Sequence, residues 1–210
     1  MPAGKYSFYL HSDDQVDLAA ARAVDNISQP LRGDFLRTVA AAGSVMYRLD
    51  SRLPVILADL FDGQLRAGQL TGVIAVLSGN YALTRGLDDP APGAPVTGFV
   101  EASSDRRRFT VTFDEAGPLL LLESCPSRLR GQLLRTLIIS GIALHTLDPR
   151  WPRLLASLPS SPGNLEALVQ LLQPGPEDAG ASELLAPGTP TLPTASQSDE
   201  SVRKNMKKLF

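Results

Sequence analysis

The stretch LRGDFLRTVAAAGSVMYRLDSRLP, residues 31–54, returns as LRGQLLRTLIISGIALHTLDPRWP at residues 129–152. A shift of 98 places Leu31, Arg32 and Gly33 on Leu129, Arg130 and Gly131, and Leu36, Arg37 and Thr38 on Leu134, Arg135 and Thr136. Gly43, Leu49, Asp50, Arg52 and Pro54 also meet their own kind. Fourteen of thirty positions agree between residues 31–60 and their shifted partners, more than shared helical composition produces, so the chain carries a duplicated unit.

Upstream of each copy lies a short segment of alternating character. In KYSFYL, Tyr6, Phe8 and Leu10 share one face of an extended backbone, and Lys5, Ser7 and Tyr9 share the other. RFTVTF repeats the pattern, with Phe109, Val111 and Phe113 against Arg108, Thr110 and Thr112. The strands are 103 apart rather than 98, so the connection from strand to repeated block is five residues shorter in the second copy.

Between strand and block the first copy predicts a helix over VDLAAARAVDNI, capped by Ser12 or Asp13 and closed near Gln29-Pro30. The second predicts a short helix through GPLLLLES, with Gly117 and Pro118 confined to its first turn. The block itself predicts a longer helix burying Phe35, Leu36, Val39, Ala40, Gly43 and Met46, mirrored by Leu133, Leu134, Leu137, Ile138, Gly141 and Leu144. Beyond Asp50 and Asp148, short apolar segments read as small helices capping each unit.

These readings divide the chain into a first unit at 1–77, a bridge at 78–104 and a second unit at 105–172. A Pro-, Gly- and Ser-rich linker at 173–198, too poor in apolar residues to offset its ordering entropy, and a terminal peptide at 199–210 complete it. The expected fold is mostly α with one short two-stranded antiparallel β-ribbon, built from tandem strand–helix–helix units that form a pseudo-dimer with small capping helices. One short strand cannot satisfy its own ladder, and one unit of this size has too little core to stand alone.

Composition narrows the function classes. No apolar run reaches the ~20 residues of a membrane span, and MPAGKYSFYL lacks the basic-then-apolar layout of a secretory signal, which leads us to expect a cytoplasmic protein. The single Cys125 forms no internal disulfide, and His11 and His145 have no companions at metal-ligand spacing. With no phosphate loop, nucleophile elbow or cofactor motif, we expect a non-enzyme without cofactor. The net charge of −2 supplies no global pull toward nucleic acid, so DNA binding depends on where cations sit: Arg106, Arg107 and Arg108 in one run, and Arg203, Lys204, Lys207 and Lys208 near the end.

Two strands paired in this way form a ribbon of the kind that lies in the DNA major groove. The outward residues, Lys5, Ser7, Tyr9, Arg108, Thr110 and Thr112, are then the candidates for base contact. The starts of the long helices, at Arg32-Gly33 and Arg130-Gly131, suit a phosphate oxygen through free N–H groups and the positive end of the dipole. Arg106 and Arg107 are further phosphate candidates, with a solvated charge run as the plain alternative. Arg37 and Arg135 repeat faithfully, but a helix-face arginine equally forms an intramolecular pair.

The strand KYSFYL, the block LRGDFLRTVAAAGSVMYRLDSRLPVILADLF with its Asp-x-Arg-x-Pro exit, and the terminal DESVRKNMKKLF together resemble the ParR/StbB family of plasmid partition adaptors, ribbon-helix-helix proteins. The resemblance implies a bacterial, plasmid-associated protein that binds repeated centromere-like double-stranded DNA, associates with itself there and represses its own operon. It also implies a tail that joins an actin-like ATPase filament of the ParM/StbA type, carried here by Val202, Lys204, Met206, Lys207, Leu209 and Phe210. Members carry one unit and dimerise, whereas this chain carries two; the tandem layout is shared by conjugative relaxosome accessory proteins, the rival reading alongside a ribbon-helix-helix repressor.

Overall fold

The computed structural model describes residues 4–84, 105–114 and 116–172. Strands β1 (Gly4–His11) and β2 (Arg106–Phe113) pair antiparallel into a two-stranded ribbon, with Gly4 opposite Phe113 and His11 opposite Arg106. Alternation sends Phe8, Leu10, Phe109, Val111 and Phe113 into the core. There Phe8 stacks on its cross-strand partner Phe109 with ring centroids 5.3 Å apart, and Tyr6 leans on Phe113 at 6.3 Å. The ribbon is therefore a thin sheet held flat against helices by its aromatics.

Helix α1 (Gln15–Asp25) begins one residue before the expected VDLAAARAVDNI and ends two residues before its close. Its cap is Asp14, whose Oδ1 accepts from the N–H groups of Val16 at 2.8 Å and Asp17 at 3.3 Å. Ser12 and Asp13 are displaced from that role because β1 continues through His11 and the chain must turn before it can coil. The five-residue difference between the copies is taken from this region: α5 (Ala116–Ser124) follows β2 almost directly.

The repeated block forms α2 (Arg32–Leu49) and α6 (Arg130–Leu147), each 18 residues long and each preceded by a 3₁₀ turn, Gln29–Leu31 and Ser127–Leu129. Both helices stop at an aspartate in extended conformation, Asp50 and Asp148. Asp50 Oδ1 accepts the Arg52 N–H at 2.8 Å and Asp148 Oδ1 accepts the Arg150 N–H at 2.8 Å; each carboxylate also takes its arginine's guanidinium. The repeated Asp-x-Arg is thus a turn clamp. Pro54 and Pro152 then fall in the first turns of α3 (Arg52–Asp59) and α7 (Trp151–Ser157), where a missing N–H costs nothing.

Helices α4 (Ala67–Ser78) and α8 (Leu165–Leu172) complete the body, and a 3₁₀ turn at Tyr81–Thr84 occupies the start of the expected bridge. The rest of that bridge lies outside the described residues. The small helices touch the long helix of their own copy but lie chiefly on that of the other. Helix α3 packs on α6 and α7 on α2, so each copy covers the long helix of the other, and α4 meets its repeat mate α8. The described residues accordingly form one compact unit.

At its centre α2 and α6 meet at Gly43 and Gly141. A Cβ on Gly43 would overlap the Leu137 carbonyl, and a Cβ on Gly141 would overlap the Val39 carbonyl. Leu137 is Val39 shifted by 98, so the two contacts are the same contact seen from either side of a pseudo-twofold axis. Absence of a side chain here is what lets the two backbones touch. Among the described residues no helix is long and apolar enough to cross a membrane.

Candidate nucleic-acid interface

The outer face of the ribbon carries four cross-strand pairs: Lys5 with Thr112, Ser7 with Thr110, Tyr9 with Arg108, and His11 with Arg106. Ser7 is half-buried and the other seven are exposed. The six residues expected to face outward therefore share one surface, and His11 and Arg106 extend it. His11 reads as a loop residue from sequence; the signal that places it is the same alternation carried one pair further along β1.

Side chains on this face are linked to one another. The Ser7 and Thr110 hydroxyls lie 3.0 Å apart, and Arg108 Nη2 donates to Ser7 Oγ at 3.0 Å. The Arg106 guanidinium sits over the Tyr9 ring, 5.1 Å from its centroid. The face thus presents donors in a held geometry above a stacked aromatic base.

Pleating splits the arginine run. Arg107 has the parity of Phe109 rather than of Arg106 and Arg108; its guanidinium lies 4.7 Å from the Phe109 centroid, and Nη1 donates to Asp25 Oδ2 at 2.7 Å. That hydrogen bond holds the Asp25 carboxyl below the usual carboxylate range and raises Arg107 further. Arg107 ties the ribbon to the end of α1, whereas Arg106 and Arg108 face out.

The repeated arginines at the long-helix starts fold back. Arg32 donates from Nε to the Ile27 carbonyl at 2.9 Å and from Nη2 to the Asp25 carbonyl at 3.1 Å. Arg130 does the same to Cys125 at 3.1 Å and Glu123 at 3.3 Å, each acceptor shifted by 98. Both arginines satisfy carbonyls at the end of the preceding helix, which is sufficient reason for the repetition. Gly33 has open space around it apart from Arg37, while Gly131 backs onto the ribbon, where a Cβ would come 3.2 Å from the Ser7 carbonyl oxygen.

Arg37 and Arg135, though repeated, have diverged. Arg37 pairs with Asp34 one turn away on its own helix. Arg135 crosses between copies, donating from Nε to Asp17 Oδ1 at 2.6 Å and from Nη2 to Asp14 Oδ2 at 2.8 Å. Asp17 is fully buried and also accepts the His11 N–H at 2.8 Å, so one carboxylate joins the end of β1, the start of α1 and the side of α6. The six tail residues Val202, Lys204, Met206, Lys207, Leu209 and Phe210 lie outside the described residues.

The body is a fused pair of strand–helix–helix units presenting a cationic, hydroxyl-rich ribbon. A family model described as plasmid stability protein matches residues 4–74 and 115–172, more than half of the chain and parts of both copies. The chain belongs to the plasmid stability protein family. No curated protein and no solved structure matches it.

Proposed function

We propose that this protein is a plasmid partition adaptor of the ribbon-helix-helix type, with its ribbon in the major groove of repeated centromere-like DNA. The observation that carries the reading is the outer ribbon face: Lys5, Arg106 and Arg108 interleaved with Thr110, Thr112 and Tyr9, all exposed, around the half-buried Ser7. A major groove about 12 Å wide admits a two-stranded ribbon, arginine and lysine match guanine O6 and N7, and threonine methyls suit thymine. Membership of a plasmid stability family supports the setting.

Residues 199–210 are the proposed link to an actin-like filament of the ParM/StbA type. Each tail contributes weak affinity, and many adaptors on a repeat array act together. Binding near its own promoter makes the protein an autorepressor. The alternative is a relaxosome accessory protein or simple repressor, favoured by the presence of both half-ribbons in one chain; it requires one short site and no ATPase.

The test uses the full chain and a variant lacking residues 201–210, assayed for duplex DNA binding and for co-sedimentation with the actin-like ATPase encoded beside it. Partition predicts DNA affinity unchanged and filament capture lost. Intact DNA binding with no capture by either protein favours the alternative, and no DNA binding by either overturns both.

A further inference from the structure

The two ends of the ribbon are not equivalent. Pseudo-symmetry relates residues 103 apart in the strands, so the pair Tyr9–Arg108 is the mate of Lys5–Thr112. One end offers a guanidinium and an aromatic ring at the position where the other offers an ammonium and a methyl-bearing hydroxyl. One pair further out, His11 faces Arg106, whereas the mate of His11 is Asp114, an exposed carboxylate. Arg106 is held over Tyr9 at 5.1 Å, and Arg108 reaches toward the centre to Ser7, so the outward guanidinium groups belong to one end. Asp105 and Asp13 also stand exposed at that end, flanking the strands, so carboxylates lie near both ends and the difference between them rests on the guanidinium groups.

A homodimeric ribbon presents identical ends and must read a palindrome. Resting on the DNA-facing reading above, we infer that this fused ribbon reads a non-palindromic site in one fixed orientation. The half-site under Tyr9, Arg106 and Arg108 is specified tightly and contains guanine, because a guanidinium fork takes guanine O6 and N7 together. The half under Lys5 and Thr112, which offers an ammonium and a hydroxyl but no guanidinium fork, is specified loosely. Each chain on a repeat array then points the same way, which no symmetric reader achieves.

The experiment is selection of bound duplexes by the full chain from a library with a randomised core of about 20 base pairs, long enough for both half-sites of a ribbon dimer. The expected product is a motif different from its own reverse complement, in which guanine changes in one half weaken binding about tenfold or more and changes in the other half about threefold or less. Orientation is then read by tethered hydroxyl-radical cleavage from His11→Cys on a Cys125→Ser background, expected on one flank only. A palindromic motif, retention without any motif, or equal cleavage on both flanks overturns the polarity while leaving DNA binding in place. Failure to retain any duplex overturns the DNA-facing reading itself.

Discussion

Ser7 and Thr110 face each other across the ribbon with hydroxyl oxygens 3.0 Å apart, and they are also each other's counterparts in the repeat. No other cross-strand pair has both properties, so this pair marks where the pseudo-twofold axis leaves the molecule at the ribbon surface. In a major-groove complex it sits over the centre of the site. The variant carrying Ser7→Val and Thr110→Val places strand-favouring β-branched residues at both positions and should fold with a thermal midpoint no lower than the parent's. Its selectivity at the central base pairs should fall about threefold to tenfold in competition binding, with the salt dependence that comes from phosphate contacts preserved.

The same axis passes between Gly43 and Gly141. Replacing either by alanine forces a methyl into a backbone carbonyl that cannot move without separating α2 and α6, a loss of ~3 kcal/mol or more. Thermal denaturation should show a midpoint about 6–12 °C lower for each single variant. Alanine at Gly72, where nothing lies within 4 Å, is the control and should be neutral or slightly stabilising.

Arg135 and Asp17 join the copies through a carboxylate that is 0% exposed. Arg135→Ala leaves that charge without its cation and should cost about 3 kcal/mol, and Asp17→Asn about 2 kcal/mol. A double-mutant cycle by chemical denaturation should return a coupling of about 1–3 kcal/mol. Arg37→Ala, which breaks only an exposed pair on one helix, should cost less than about 0.5 kcal/mol.

His145 on α6 packs edge-on against Phe35 at 5.0 Å, and burial lowers its pKa below the ordinary value near 6.5. Asp148, which favours the charged form, and Arg153, which opposes it, are its charged neighbours. The unfolded chain binds this proton more readily than the folded one, so stability is full above pH 6.5 and declines as pH falls toward the folded-state pKa. The thermal midpoint should drop between pH 7.5 and 5.5. In His145→Gln that slope should be largely gone, and an unchanged slope would locate the acid sensitivity elsewhere.

Much of this architecture is written locally. Alternation over residues 5–10 and 108–113 identifies both strands, and the repeated block sets two helices of equal length at a fixed offset. What local pattern cannot carry is which copy a surface packs against: α3 and α7 have the same apolar faces whether they cover their own long helix or the other one. The repeated Arg32 and Arg130 carry a different lesson, since duplication preserves a carbonyl-capping arginine as faithfully as a ligand-binding one. Asp17 gives no sequence signal, because its partners lie on β1 and on the second copy's helix.

The outward face of the ribbon as a DNA-reading surface is tested most directly by fluorescence anisotropy of the full chain on its selected duplex, with and without Lys5→Ala and Arg108→Ala together. Both side chains project from the face opposite the core, so folding is unaffected and thermal midpoints should coincide. A DNA-reading ribbon gives a Kd at least about tenfold weaker for the double variant, with discrimination against non-cognate duplex reduced. Equal affinity and equal discrimination in the two proteins would contradict it.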